Sequence, residues 1–405
     1  MNTLKFGNGE WYGKKDTILA YNDENSNFKP LPFSFDRASS ATVVNKAGLI
    51  ETVGSGEPRI DYKDDSKGAL LLEPSRSNSL VQSNQFDTTW TLSTAIDLTS
   101  GQSGVFGSND AWLLKRNSTG SRYIQQSLSL SSAQYSYSVY LKAESTNWAF
   151  IWSYDGSASV NVYFDLQNGV VGSTSGANLD STKIESVGNG WYRCTLIYTQ
   201  ATTLVRVYPA YANGNVSTGT DNGIYIQNFQ LEQGSYATSY IPSSGGVVTR
   251  VVDACSGAGN DQVINSTEGV LYAEESLLST LGSKRTISLS DGTLNNYCQI
   301  QFQGSTRNIK MTYETTGYAT NQSYLMPDNI ESNKIAFLWS ENKFQLWVNG
   351  IKVMEDLSGA TASNVFSELK FSLANGADNF YGNIKDVRVY NTALTDAELQ
   401  ALTSN

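Results

Sequence analysis

The chain has no histidine, three cysteines, seven prolines and only 16% charged residues. The missing histidine removes Ser–His–Asp and Cys–His catalysis and every metal site built on imidazole. Cys194, Cys255 and Cys298 are far apart, odd in number and lack Cys-x-x-Cys spacing. Neither a zinc site nor a disulfide framework is therefore expected, and they read as incidental thiols of a protein made in a reducing compartment. No apolar run approaches the roughly 20 residues of a membrane span, so no membrane insertion is expected. The start, Met1 to Gly7, is polar and has no apolar stretch of the kind a signal peptide carries. Basic charge is also scarce. The net charge is −10, distributed as −1 over residues 1–80, −2 over 81–250 and −7 over 251–405. No run of Lys or Arg exceeds two, so nucleic acid is not an expected partner. The C-terminal acidity reads as solubility charge.

What the sequence does contain is apolar, aromatic and turn-forming residues: 40% hydrophobic, 11% aromatic and 34 glycines. That suffices for sizeable cores, and 405 residues imply two to four domains at roughly 100–200 residues each. Strand-like alternation runs throughout. Tyr135, Tyr137, Val139 and Leu141 share one parity, as do Tyr192, Cys194, Leu196 and Tyr198. Phe344, Leu346 and Val348 alternate with Lys343, Gln345 and Trp347, and Asn349-Gly350 then predicts a type I′ hairpin into Ile351. A second hairpin is predicted where Thr42–Val44 and Leu49–Val53 flank Asn45-Lys46-Ala47-Gly48. One helix is predicted. Thr395-Asp396-Ala397-Glu398 is a capping box, Leu394 and Leu399 have the spacing of a hydrophobic staple, and the helix ends near Thr403.

The expected class is all-β: an N-terminal attachment and oligomerisation module over 1–80, then two antiparallel β-sandwiches over 81–243 and 250–405. Segment 1–80, with four prolines and short apolar runs such as Leu70-Leu71-Leu72, is too poor in apolar residues to bury a core alone. It needs other chains or a neighbouring domain. Within it Arg37, Arg59 and Arg76 are expected to anchor buried carboxylates such as Asp61 or Glu73, in a structural role.

Three stretches resemble known families. Arg37 to Glu51, Pro58-Arg59-Ile60-Asp61-Tyr62 and Leu70 to Asn78 together resemble an N-terminal module of bacteriophage fibre, spike and other virion-surface proteins. Asn189 to Cys194, Gly223 to Gly234 and Ala237 to Pro242 resemble jelly-roll domains of the carbohydrate-binding-module type. Gly269 to Glu274, Leu346 to Val353 and Gly382 to Thr395 resemble a concanavalin A/laminin-G-like lectin domain closing with a short helix. Some relatives of the last are glucanases with a Glu-x-Asp-x-Glu strand, and that triplet does not occur here.

The resemblances imply a structural virion protein, a head or tail fibre or spike. It would be a homotrimer docked on capsid or tail proteins through residues 1–80 and would display lectin-like domains to host-surface glycans. The alternatives are a polysaccharide depolymerase tailspike, whose two carboxylates need not be adjacent in sequence, and a secreted bacterial glycan-binding protein. No cofactor is expected. Calcium is usual in relatives of the third domain, but Asp291-Gly292 alone is a turn signal without spaced oxygen ligands. Sugar binding needs aromatic platforms beside amides or carboxylates. The candidates are Tyr154 beside Asp155-Gly156, Tyr208 and Tyr211 flanking Pro209 near Asn213-Gly214, and Trp347 on the polar parity of its strand. Trp148, Phe150, Trp152 and Tyr154 share a parity and read as a core stripe.

Overall fold

The structure is a computed structural model that describes residues 3–22, 27–279, 282–316, 318–326, 332–363 and 365–404. The fold is all-β. Among the described residues it has one α-helix, Asp396–Thr403, and a single 3-10 turn at Gly304–Thr306. The chain divides into two compact units. Arg76–Arg250 forms one; Met1–Ser75 and Val251–Asn405 together form the other.

The split unit is a two-sheet sandwich. Its larger sheet centres on Gly269–Leu277, paired on one side with Asn333–Ser340 and on the other with Gly382–Tyr390. The opposing sheet runs Tyr318–Leu325, Asn308–Thr315, Tyr297–Gln303, Arg285–Ser290, Glu368–Lys370. Leu271, Phe337 and Leu346 from the first meet Ile287, Ile300 and Met311 from the second in one core. Alternation built these strands as predicted: Phe344, Leu346 and Val348 are buried in that core. Asn349 and Gly350 close the hairpin with φ of 49° and 80°, values a type I′ turn needs. The capping box is also present: Thr395 Oγ1 accepts from the Glu398 amide at 3.3 Å, and Glu398 Oε2 accepts from the Thr395 amide at 2.8 Å. Leu394 and Leu399 pack with Tyr272, Leu338 and Trp347, which fixes the helix on the outer face of the larger sheet.

Residues 1–75 do not form a module of their own. Thr3–Gly7 pairs along its length with Gly382–Tyr390, from Thr3 opposite Tyr390 to Gly7 opposite Asp386. Ala69–Leu72 adds to the same strand through Leu70 and Ile384. Leu4, Phe6, Phe33, Phe35, Leu70 and Leu72 join the core of 251–405, and Phe33 stacks on Phe371 with ring centroids 5.0 Å apart. Burying each such side chain contributes roughly 1.5–3 kcal/mol. The segment thus takes its missing core from the downstream half of its own unit.

The arginine expectation holds for Arg59 and Glu73 but not for Asp61, and Asp253 is a partner it did not include. Arg59 bonds Glu73 at 2.6 Å and also reaches Asp253, while Arg37 reaches Asp253 at 3.1 Å, all four fully or almost fully buried. Asp253 closes the network by accepting from the Glu73 amide at 2.8 Å. Burial opposes the charge of Arg59, but Asp253 and Glu73 outweigh it and raise its pKa. Asp61 instead accepts from the Val44 amide at 3.1 Å, beside the hairpin Ala41–Val44/Ile50–Val53. Arg76 lies over the Tyr236 ring at 5.5 Å, in the other unit.

The main strands of the Arg76–Arg250 unit pair into one ten-stranded antiparallel sheet that closes around a single core, in the manner of a jelly roll. Ile124–Ala143 and Trp191–Ala210 are each 20 residues long and pair with one another almost throughout. Register breaks between Ser127 and Ala133 bend the pair, a standard way for strands to pass from one sheet to the next. Tyr135–Ala143 pairs with Gly223–Gln233, whereas Leu204–Ala210 pairs with Trp148–Tyr154. Tyr137, Val139, Cys194, Leu196, Ile151 and Val207 meet in the shared core. All three cysteines are free and buried.

Candidate functional site

Trp148–Tyr154 lies between Trp191–Ala210 and Ser159–Asp165. Its Ala149, Ile151 and Ser153 are fully buried, as are Val160, Val162, Val205 and Val207 beside them. Side chains alternate along a strand, so Trp148, Phe150, Trp152 and Tyr154 face outward. The expectation of a core stripe is corrected for the main core, while Phe150 is itself buried in a smaller cluster with Tyr163, Tyr208 and Ala210, against which Trp148 and Trp152 pack. Periodicity separates two faces without saying which is inner, and here the small and β-branched residues fill the main core while the rings lie on the opposite face of the sheet.

The outer face is ordered by register. One row runs Gln125, Arg206, Trp152, Asn161, and the next runs Tyr208, Phe150, Tyr163. Phe150 has its ring centroid 4.4 Å from Tyr163 and 5.1 Å from Tyr208. This second row forms a nearly closed apolar floor. Burial pushes the phenol pKa values of Tyr163 and Tyr208 up, and for Tyr208 the bond from Arg206 works the other way. In the first row the Arg206 guanidinium sits between two rings, 4.1 Å from the Tyr123 centroid and 4.5 Å from that of Trp152. Each such contact is worth about 0.5–2 kcal/mol, depending on desolvation. Arg206 Nε donates to Gln125 Oε1 at 2.8 Å and Nη1 donates to Tyr208 Oη at 3.2 Å. Trp152 and Tyr154 stack with centroids 5.2 Å apart and planes 12° apart. Tyr154 Oη donates to the Gly156 carbonyl at 2.7 Å, which locks the ring.

Of the four sequence candidates, the structure brings two to this face. Tyr154 ends the stacked pair, and Tyr208 belongs to the floor at 5% exposure. Tyr211 is 52% exposed, on the turn closed by Ala212 and Asn215, with Gly219 close against its ring. Trp347 lies in the other unit and is only 6% exposed, beneath the C-terminal helix. The parity was read correctly, but the helix covers that face. Trp347 Nε1 donates to Gln345 Oε1 at 3.1 Å. Trp152, Tyr123, Arg206, Gln125 and Asn161 were not among the candidates. The signal available for them was the contrast between aromatic and β-branched parities in Trp148–Tyr154.

A concavity elsewhere in the same unit, about 600 Å³, is lined by Asn84, Asp87, Asp110, Trp112 and Tyr240 among others. Its carboxylates are already engaged: Asp110 accepts from Gln227 at 2.6 Å and Asp87 from Gln85 at 2.5 Å. Among the described residues no group of three or more Cys, Asp and Glu side chains could hold a metal ion.

A family match agrees with the architecture of the split unit. Residues 278–400 match the concanavalin A-like lectin/glucanases superfamily, and the split unit that contains them is a concanavalin A-like sandwich. No curated protein matches the sequence. Similar solved structures are distant. The Ruminococcus gnavus IT-sialidase CBM40 bound to α2,3-sialyllactose is 19% identical, over 37% of this chain and 94% of that one, at a TM-score of 0.32. Domain 4 of AbnA, a GH43 extracellular arabinanase from Geobacillus stearothermophilus in complex with arabinotriose, is 14% identical over 42% and 84%, at 0.33. Domains LG4-5 of the mouse laminin α1 chain are 9% identical over 78% and 94%, at 0.25.

Proposed function

We propose that this is a non-enzymatic glycan-binding protein that holds an oligosaccharide on the outer face of Trp148–Tyr154. The observation that carries the reading is the stacked pair Trp152 and Tyr154, whose ring planes lie 12° from parallel. The exposed part of that aromatic pair suits the apolar C–H surface of a sugar ring, while Gln125 and Asn161, in the same row as Trp152, offer amides to hydroxyl groups. The lectin-type match of 278–400 supports the same class of ligand. The test is a glycan array probed with the full chain and with Trp152→Ala/Tyr154→Ala. Binding that the double substitution abolishes is the expected result. An array without signal, undiminished binding by the variant, or release of reducing ends from a bound glycan overturns the reading.

The resemblance of residues 33–80 to a virion-surface module supports display of this face on a bacteriophage particle, as a self-associated fibre or spike. Since 1–75 folds with 251–405, docking to the particle falls to that whole unit. Labelled particles imaged at low resolution test the placement, and light scattering tests self-association. Absence from particles, or a stable monomer, counts against the respective part.

A further inference from the structure

The geometry points to an acidic glycan as the ligand of this face, with Arg206 binding a sugar carboxylate; this rests on the glycan-binding reading above and narrows it. A guanidinium has five N–H donors. Two of those of Arg206 are used, one by Gln125 and one by Tyr208. The remaining three, both on Nη2 and one on Nη1, have no protein acceptor among the described residues. The two engaged bonds and the two covering rings fix the plane of the group, so the free Nη edge is held in one orientation at the surface. That is the pre-organised, planar, paired-donor geometry that carboxylates accept.

Internal charge does not answer it. The neighbours of Arg206 in its row are Gln125, Trp152 and Asn161, all neutral. The carboxylates at the two ends of the neighbouring strands are committed to their own turns. Asp155 accepts from the Ser157 and Ala158 amides at 2.7 and 2.6 Å, and Asp165 from the Gln167 and Asn168 amides at 2.9 and 3.2 Å. In a chain with 38 acidic and 28 basic residues, a half-buried arginine without a carboxylate is left for something else. Arg116 shows the structural alternative. It is fully buried, and the carbonyls of Ser118, Gly120, Val216 and Ser217 take up its donors. Arg206 has the rigid mounting of such a residue without the filled shell. A carboxylate placed there gains a charge-assisted pair in surroundings already stripped of much water by the rings, while its sugar ring packs against the exposed part of the Trp152–Tyr154 pair.

The experiment is calorimetric titration of the full chain with oligosaccharides that carry uronic or sialic acids, each beside its carboxyl-reduced counterpart. The expected result is at least one acidic ligand bound about tenfold or more tightly than its reduced form, with the preference weakening as salt rises. Arg206→Gln should remove that preference while the reduced form still binds, and its circular dichroism and melting curve check the fold independently. Equal binding of acidic and reduced forms by the unaltered chain overturns the carboxylate assignment and leaves glycan binding standing. So does a preference that survives Arg206→Gln. No binding to any member, acidic or neutral, overturns both.

Discussion

Arg206 and Trp152 are register partners on adjacent antiparallel strands, and the guanidinium lies 4.5 Å from the indole centroid. Trp152 therefore has two roles. It holds the cation in place with one part of its surface and, stacked on Tyr154, offers the rest to solvent.

Trp152→Ala should lower affinity for the bound glycan at least tenfold, because it removes the platform and frees Arg206 at once. The cost to folding should stay near 1 kcal/mol, since the ring lies outside the core and loses chiefly its cation–π and stacking contacts. Titration and urea denaturation of the same variant separate the two effects. A large stability loss with unchanged affinity would assign the ring to packing alone.

Trp347→Ala gives the opposite pattern. The side chain is 6% exposed under the helix Asp396–Thr403, so truncation should cost about 3–5 kcal/mol. Glycan binding by the other unit should not change. Loss of binding with intact stability would restore Trp347 as a ligand contact.

Asp253→Ala leaves Arg37 and Arg59 buried with half of their charge partners gone. Breaking a buried ionic network in this way costs about 3–5 kcal/mol. Hydrogen exchange should show protection lost across the described parts of 1–75 and 251–405 and retained in 76–250. Uniform loss across the chain would contradict the division into two units.

Asp61 gives a pH signature. Burial outweighs its hydrogen bonds and raises its pKa from 3.8 to about 6. Between these values the folded chain retains a proton that the unfolded chain has released. Its contribution to stability is therefore fully present below about pH 4, is lost as pH rises through about 6, and is flat above. The slope in that window is at most about 1.4 kcal/mol per pH unit. Asp61→Asn keeps an acceptor for Val44 and removes the titration. Urea midpoints from pH 4 to 7 should fall for the parent relative to the variant; parallel curves for the two would reject the raised value.

Much of the architecture was legible because it depends on local rules. The Asn349-Gly350 turn, the Thr395/Glu398 box and the alternation at Tyr135–Leu141 are each written within a few residues. The platform was legible only in part. Tyr154 and Tyr208 are legible from the turn residues near them, yet Trp152 and Arg206 gain their meaning from strands that bring together positions 54 residues apart. The partnership of Thr3–Gly7 with Gly382–Tyr390 likewise depends on long-range pairing that no window of sequence contains.

The placement of Arg76–Arg250 between the two parts of the other unit affects how the protein can be taken apart. Its ends are joined by the pair Arg76–Asn78/Val248–Arg250, so it enters and leaves its host at one point. A truncation that discards the last 155 residues, 251–405, strands Leu4, Phe6 and Phe33 without their core and exposes strand edges that invite aggregation. Excising 76–250 and bridging Ser75 to Val251 removes the aromatic face and leaves every pairing of the host in place. During synthesis the inserted unit is complete while its host still lacks Gly382–Tyr390, so the middle of the chain can fold before its beginning does.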